Sequence, residues 1–412
     1  MKKEIFYTAL LAAVFIITGF VSCQNSGRRQ SGTQTSEIPN IIPDSIMNNK
    51  PELPDNPAMA YVKNLRLGIN IGNSLDAIGT ATWHSGERGW GNPLIEQEYI
   101  KALKDYGYTT IRLPITWAEY MGPSPDFIIT EERMSRVEEV VNWILAEDMY
   151  VIINIHHDGG HSDKSWILRA AQAPEEVADQ LSKVWRQIAQ RFSGISQEKL
   201  IFESMNEVGF DTLWNRYGGG AGGKREAYEI LNMLNQTFVN TVRNVAGNDD
   251  RFLLIAGYWT DITLSCDPLF KMPEDTIDHR LILSVHYYTP STFCIAEERN
   301  NSWGYRETWG TYNDYLELNV EFSRLKTNFL EKGIPIILGE YGVTLKNKDE
   351  ESRIKWMAAV TQLSLNFGIG PALWDTGWKV DTDFNDHGGE ISRSEPYEMR
   401  DALRIVLAAL QF

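Results

Sequence analysis

KLIFESMNE, Lys199 to Glu207, and IPIILGE, Ile334 to Glu340, are the stretches on which the fold turns. Each is an apolar, β-like run that ends by presenting a carboxylate. In a parallel α/β barrel the C-terminal ends of the strands carry the chemistry, because the strand fixes the side chain and the following loop opens to solvent. Two carboxylates brought to one ligand in this way suit glycoside hydrolysis, in which one donates a proton and the other attacks or activates water.

Working outward, six further runs repeat the pattern: LGINIGNS from Leu67, TTIRLPITW from Thr109, YVIINIHHD from Tyr150, RFLLIAGYW from Arg251, RLILSVHYYTP from Arg280 and PALWDTG from Pro371. Amphipathic stretches lie between most of them, at 132–148, 175–191, 228–245, 315–332 and 351–367. Eight alternations of strand and helix predict a (β/α)8 TIM barrel. A doubly wound open sheet would place a Gly-rich phosphate turn after an early strand, and the first run lacks one. GGGAGG at 218–223 follows no apolar strand and reads as a loop.

At the N-terminus, Met1-Lys2-Lys3 precedes an apolar core from Ala9 to Val21 and small residues before Cys23, the pattern of a secretory signal over 1–22. The apolar stretch falls short of the roughly 20 residues of a spanning helix. FVSC resembles a bacterial lipoprotein box, with Val21 and Ser22 a loose fit, so Cys23 is expected to carry lipid, ordinary cleavage nearby being the alternative. Residues 23–57, rich in Ser, Gln, Asn and Pro, read as a tether too polar to fold. Residues 58–412 then form one catalytic domain. The expected location is an outer-membrane lipoprotein, at the cell surface or on the periplasmic face. Of the other two cysteines, Cys266 and Cys294 either pair or remain free, since pairing requires Cα atoms within roughly 7 Å.

A net charge of −16 excludes a nucleic-acid partner of the usual kind, which needs clustered Lys and Arg. Thirteen Trp are the more telling feature, because indole faces stack on sugar rings. Trp143, Trp185 and Trp356 fall in helical runs and read as core. The other ten fall at strand ends or in loops, among them Trp90, Trp117, Trp259 and Trp374, and are expected on the rim that holds the carboxylates.

The motifs GNSLDA, WGNP, IRLPITW, NIHHD, FESMNE, VHYYTP, LGEYG and WDTG follow in order from Gly72 to Gly377. Together they resemble glycoside hydrolase family 5, and most of all its bacterial endoglucanase and xyloglucanase branch. That resemblance implies a retaining mechanism with Glu207 as acid/base and Glu340 as nucleophile. It also implies that Arg112 and Tyr288 hold Glu340 ionised, that Asn206 bonds the sugar 2-OH and that His286 orients Glu207. His156, His157 and Asn73 would meet sugar hydroxyls, and Trp374 would stack on the sugar being cleaved. One departure stands out, Val208 where the family commonly has Pro, and it predicts a looser loop after Glu207.

The expected ligand is a β-1,4-glucan of the plant cell wall, cellulose-type or mixed-linkage or xyloglucan, cut internally by a monomer without cofactor or metal. A mannan-specific hydrolase and a non-catalytic glycan-binding lipoprotein are the alternatives. A metal-dependent hydrolase is suggested by His156, His157, Asp158 and His161. Against it, adjacent His156 and His157 on an extended strand would point to opposite faces, and the end of the first strand offers Asn70 and Asn73 instead of histidines.

Overall fold

A computed structural model describes residues 41–79, 86–160, 164–218, 220, 222–377 and 389–412. The leader, Cys23, most of the tether, Trp83, His161 and Trp378 lie outside these residues. Eight parallel strands close into a barrel in sequence order: β1 Gly68–Asn70, β2 Thr110–Leu113, β3 Tyr150–Asn154, β4 Leu200–Glu203, β5 Leu253–Asp261, β6 Leu281–Tyr287, β7 Ile336–Tyr341 and β8 Gly370–Leu373. Their near-continuous burial is what parallel strands covered on both faces require. Each apolar run of the sequence supplies one strand.

The five amphipathic stretches form helices Glu131–Ala146, Pro174–Arg191, Lys224–Arg243, Tyr312–Asn328 and Glu350–Asn366. Several start earlier than their apolar periodicity suggests because polar caps set the first turn. Thr130 and Asp349 accept from backbone N–H groups three residues on, and Thr311 with Asp314 makes a reciprocal capping box.

Within the strands, Ile152, Ile201, Leu254, Ile282 and Ile337 form an apolar cluster with helix Pro57–Leu65, through Ala58, Tyr61, Val62 and Leu65. The Tyr61 and Phe252 rings stack at 3.6 Å. Two residues further along β3, β4 and β6, on the same face by strand alternation, stand Asn154, Glu203 and Ser284. The barrel interior therefore passes from apolar to polar within one alternation of the chain.

The tether is shorter than its composition suggests. Asp44–Met47 forms a turn of helix whose Ile46 is buried, as is Ile42. Asn366 Nδ2 donates to the Ile46 carbonyl at 2.8 Å, and Asn49 Nδ2 to Asn319 Oδ1 at 2.7 Å. Ile46 on the turn and Ile42 just before it bury apolar surface and so order a segment whose average composition is polar. Cys266 and Cys294 are both free thiols. Burial pushes the Cys266 thiol up to about 12, so it is unreactive at neutral pH.

Candidate active site

Strand alternation alone would turn Glu340 away from the barrel interior, because Ile337 faces in. A bulge reverses this: Val285 pairs with Leu338 but His286 pairs with Glu340, leaving Gly339 as the extra residue. A Cβ at Gly339 would sit 3.1 Å from Ser284 Oγ and 3.2 Å from His286 Nε2, so a side chain there would crowd both groups. Glu340 is thereby aimed into the mouth. Glu207 arrives differently, on the turn after β4, where Asn206 N–H continues the pairing by donating to the Ile155 carbonyl at 2.9 Å.

One carboxylate oxygen from each of Glu207 and Glu340 and one ring nitrogen of His286 lie within 4.8 Å of one another. Arg112 Nη1 donates to Glu340 Oε1 at 2.7 Å and Tyr288 Oη to Glu340 Oε2 at 3.0 Å. His286 Nδ1 lies 2.8 Å from Glu207 Oε1 and 3.5 Å from Glu340 Oε2. Arg112 Nη2 donates to Asn206 Oδ1 at 2.8 Å. The pair and the four supporting residues that the resemblance singles out, Arg112, Asn206, His286 and Tyr288, thus meet in one place.

The electrostatics separate the two carboxyls. Burial raises Glu207, but the hydrogen bond and charge of His286, with Arg112 behind them, outweigh it and hold Glu207 below the usual carboxyl range. At Glu340 burial prevails over His286 and Arg112, and the charge of Glu207 adds to it, so its carboxyl lies above that range. Groups this close titrate as a pair. Burial also raises the Tyr288 hydroxyl, with the Glu340 charge second, which keeps it a donor.

Four rings in the loops beyond β1, β3 and β8 form a second group. His156 lies parallel to Trp374 with centroids 5.8 Å apart, His156 and His157 meet edge to face at 4.5 Å, and Trp90 lies 5.4 Å from His157. The expectation that His156 and His157 point to opposite faces is overturned. β3 ends at Asn154, and His156 has φ −97° and ψ −91°, outside the extended region whose alternation the expectation assumed. Trp374 lies against Gly72, where a Cβ would come within 2.8 Å of the indole. Asn73 adopts φ 57° and donates its backbone N–H to Asp76 at 3.1 Å.

The Trp rim is smaller than expected. Trp117 is fully buried, its indole N–H donating to the Asn154 carbonyl at 2.9 Å. Trp166, Trp214 and Trp309 are buried as well. Trp166 serves Asp158, whose other oxygen accepts from the Trp117 backbone N–H. Burial pushes the Asp158 carboxyl up to about 6. Trp259 remains at the mouth with φ 54°, its ring packed on Gly209 and under the Arg216 guanidinium at 4.2 Å. Its backbone N–H donates to the Val208 carbonyl at 2.9 Å, and Val208 is fully buried, so the loop after Glu207 is anchored without proline.

Sequence reasoning passed over a buried polar layer beneath the pair. Glu203 accepts from Arg112 Nε at 2.8 Å, Asn154 Nδ2 at 3.0 Å and Ser284 Oγ at 2.6 Å, and Asn70 Oδ1 accepts from Arg112 Nη1 at 3.0 Å. The available signal was a charged residue closing the apolar run LIFE, four residues before Glu207. Besides the catalytic pair with His286, Asp76, His156 and His157 also bring ligand-type atoms within 4.8 Å of one another. Both Asp76 oxygens there already accept backbone N–H groups of Asn73 and Ser74, and Asn154 Nδ2 faces His156 Nδ1 at 3.1 Å. These atoms are engaged in shaping the loops.

A closed parallel barrel with two carboxylates poised across its mouth defines a glycoside hydrolase. The family model for cellulase, glycosyl hydrolase family 5, matches residues 72–379, and the chain belongs to that family. Endoglucanase A of Ruminococcus albus is 36% identical over 79% of this chain and 86% of its own. A xyloglucan-specific endo-beta-1,4-glucanase of Bacteroides ovatus is 30% identical over 82% of this chain and 72% of its own. Among solved structures, a family 5 lichenase from Caldicellulosiruptor sp. F32, in a mutant complex with cellotetraose, superposes with TM-score 0.78 at 28% identity. That match covers 88% of this chain and 96% of the other.

Proposed function

We propose that this protein cleaves internal β-1,4 bonds of plant cell-wall glucans by a retaining double displacement. The observation that carries the reading is the approach of Glu207 and Glu340 oxygens to within 4.8 Å, the short spacing of retaining enzymes, about 5 to 5.5 Å, rather than the wider one that leaves room for water. Glu340 attacks the anomeric carbon while the bond to the leaving sugar breaks toward its oxygen, which takes the proton of Glu207. Water then gives a proton to Glu207 and attacks the same carbon, and Glu340 departs. The first step needs a proton on Glu207, whose Oε1 lies 2.8 Å from His286 Nδ1. His286 Nδ1 also lies 3.5 Å from Glu340 Oε2, so one ring nitrogen orients both carboxyls. Arg112 and Tyr288 hold the attacking oxygens, and Asn206, fixed by Arg112, presents its amide to the 2-OH.

Trp374 just after β8, Trp90 in the loop after β1 and Trp259 near the end of β5 are half-buried rings that can stack on sugars, which supports endo action along a glucan chain. The relatives named for xyloglucan and lichenan make branched and mixed-linkage glucans natural candidates beside cellulose. The test is release of reducing ends from carboxymethylcellulose, mixed-linkage glucan, xyloglucan and glucomannan, with the first-formed anomer followed by NMR. A β-anomer appearing first supports retention. An α-anomer first sinks the double displacement, and binding without any product supports a glycan-binding protein instead. We further propose that the chain acts as a monomer held to the outer membrane by lipid on Cys23. That reading rests on the leader sequence, and a mature N-terminus lacking lipid mass would remove it.

A further inference from the structure

The mechanism above gives no task to Glu203. Its side chain and that of Arg112 are both fully enclosed, at 0% exposure. Arg112 therefore faces two carboxylates, Glu203 through Nε at 2.8 Å and Glu340 through Nη1 at 2.7 Å. Burial works against the guanidinium charge, and these two anions more than offset it. For a resting enzyme one carboxylate on a guanidinium would suffice. The second has meaning once Glu340 reacts.

We propose that Glu203 is a positioning residue that keeps Arg112 compensated while Glu340 is esterified in the covalent glycosyl-enzyme, an inference that rests on the retaining reading. When Glu340 bonds to the anomeric carbon, the bond to the leaving sugar breaks. The electron pair leaves on its oxygen, and Glu207 supplies the proton. Glu340 is then a neutral ester. Glu207 is ionised at that stage, but its side chain is 37% exposed and its hydrogen bond goes to His286, not to Arg112. Of the carboxylates in contact with Arg112 among the described residues, Glu203 alone remains. A buried guanidinium stripped of every contacting anion is strongly destabilised, and that penalty would fall on the intermediate and on the transition states flanking it.

The surroundings of Glu203 suit this task. Ser284 Oγ and Asn154 Nδ2 donate to it from β6 and β3, so its orientation does not depend on Arg112 alone. Asn154 also touches His156 at 3.1 Å, tying this layer to the sugar-facing rings. Glu203 further divides the attention of Arg112. Glu340 is faced by Arg112 from β2, His286 from β6, Tyr288 just beyond it and Glu207 beyond β4. With Glu203 neutral, Arg112 would act undivided on Glu340, which favours its ionised form and weakens it as a nucleophile.

The test compares the full chain with Glu203→Gln and Glu203→Asp, each trapped with a 2-deoxy-2-fluoro-cellotriosyl fluoride and read by mass on Glu340. Glu203→Gln should trap at least a hundredfold more slowly than the parent, with the acid limb of its pH profile moved to lower pH. Glu203→Asp, which keeps the charge, should recover most of the rate and restore the limb. Trapping of Glu203→Gln within threefold of the parent, with an unmoved limb, overturns the proposal. A parent that takes no mass on Glu340 overturns the retaining reading beneath it, which separates the two failures. Should Glu203→Gln not fold, Glu340→Gln decides, since it leaves Arg112 with the contacting anion of the intermediate. Melting within a few degrees of the parent supports Glu203 as the sufficient counter-ion, and a collapse in melting temperature overturns it.

Discussion

Two layers of the barrel interior, one strand alternation apart, do opposite work. Ile152, Ile201 and Ile282 close on helix Pro57–Leu65 as an apolar plug. Asn154, Glu203 and Ser284, two residues later on the same strands, hold a buried charge network. The lower layer gains stability by removing apolar surface from water. The upper layer buries charges whose desolvation roughly cancels their attraction, so its worth lies in where it fixes Arg112 and, through it, Glu340. Stability and chemistry are thus assigned along each strand rather than to different strands.

The largest effects should divide along this line. Glu340→Gln is expected to lower kcat by at least about ten-thousandfold, the scale for loss of an attacking group, with little change in melting temperature. Ile201→Ala, one alternation below Glu203, is expected to cost about 2 to 5 kcal/mol of stability, the range for emptying a buried aliphatic site. At a temperature where it remains folded it should retain kcat within a few fold. Denaturant titration beside initial-rate kinetics measures both. If Ile201→Ala lost activity in step with Glu340→Gln while staying folded, the two layers would not be separate.

Much of this was legible in the sequence, for a physical reason. A parallel strand buried on both faces shows as an unbroken apolar run, and eight such runs fix the strand order of a closed barrel. What the same continuity hides is which face looks inward. Glu203 therefore stood unremarked at the end of LIFE, although its neighbours Asn206 and Glu207 were read. The bulge at Gly339 escaped notice because register depends on the partner strand. Trp117 was misplaced because a strand end looks open until the loop beyond it folds back, here pinned by Asp158 to the Trp117 N–H. His156 and His157 were misread by carrying strand alternation past the last strand residue. The tether was overextended by averaging composition across Ile42 and Ile46.

Asp158 provides the next sharpening, since it is a charge buried for structure at the upper end of the barrel. Its folded carboxyl sits at about 6, raised by burial, so the folded state binds this proton more tightly than the unfolded chain. Its contribution to stability is full at low pH, below the unfolded value near 4, and is lost as pH rises through about 6. The span is worth on the order of 3 kcal/mol at most. Asp158→Asn should therefore flatten the fall in melting temperature between about pH 4 and pH 6.5. Glu340, Asp375 and Glu390 are also raised by burial and leave a residual slope of the same sign. An unchanged slope in Asp158→Asn would show that Asp158 stays charged across this window.

The smallest expected effect tests the aromatic rim against the core. Trp90 is half-buried, donates its indole N–H to the Ile78 carbonyl at 3.1 Å and leaves its ring beside His157, so it can face a sugar. Trp117 is enclosed and can face nothing but protein. Trp90→Ala should raise KM about three- to tenfold on a polymeric glucan, the weight of one stacking contact, with kcat and melting temperature nearly unmoved. Trp117→Phe should do the reverse, lowering stability by the loss of its bond to Asn154 while KM holds. The same ring type, read as one class in the sequence, then separates by what it touches: an indole against a mobile ligand appears in KM, and an indole against a backbone carbonyl appears in the melting curve. A Trp117→Phe variant with raised KM and unchanged stability would return Trp117 to the cleft.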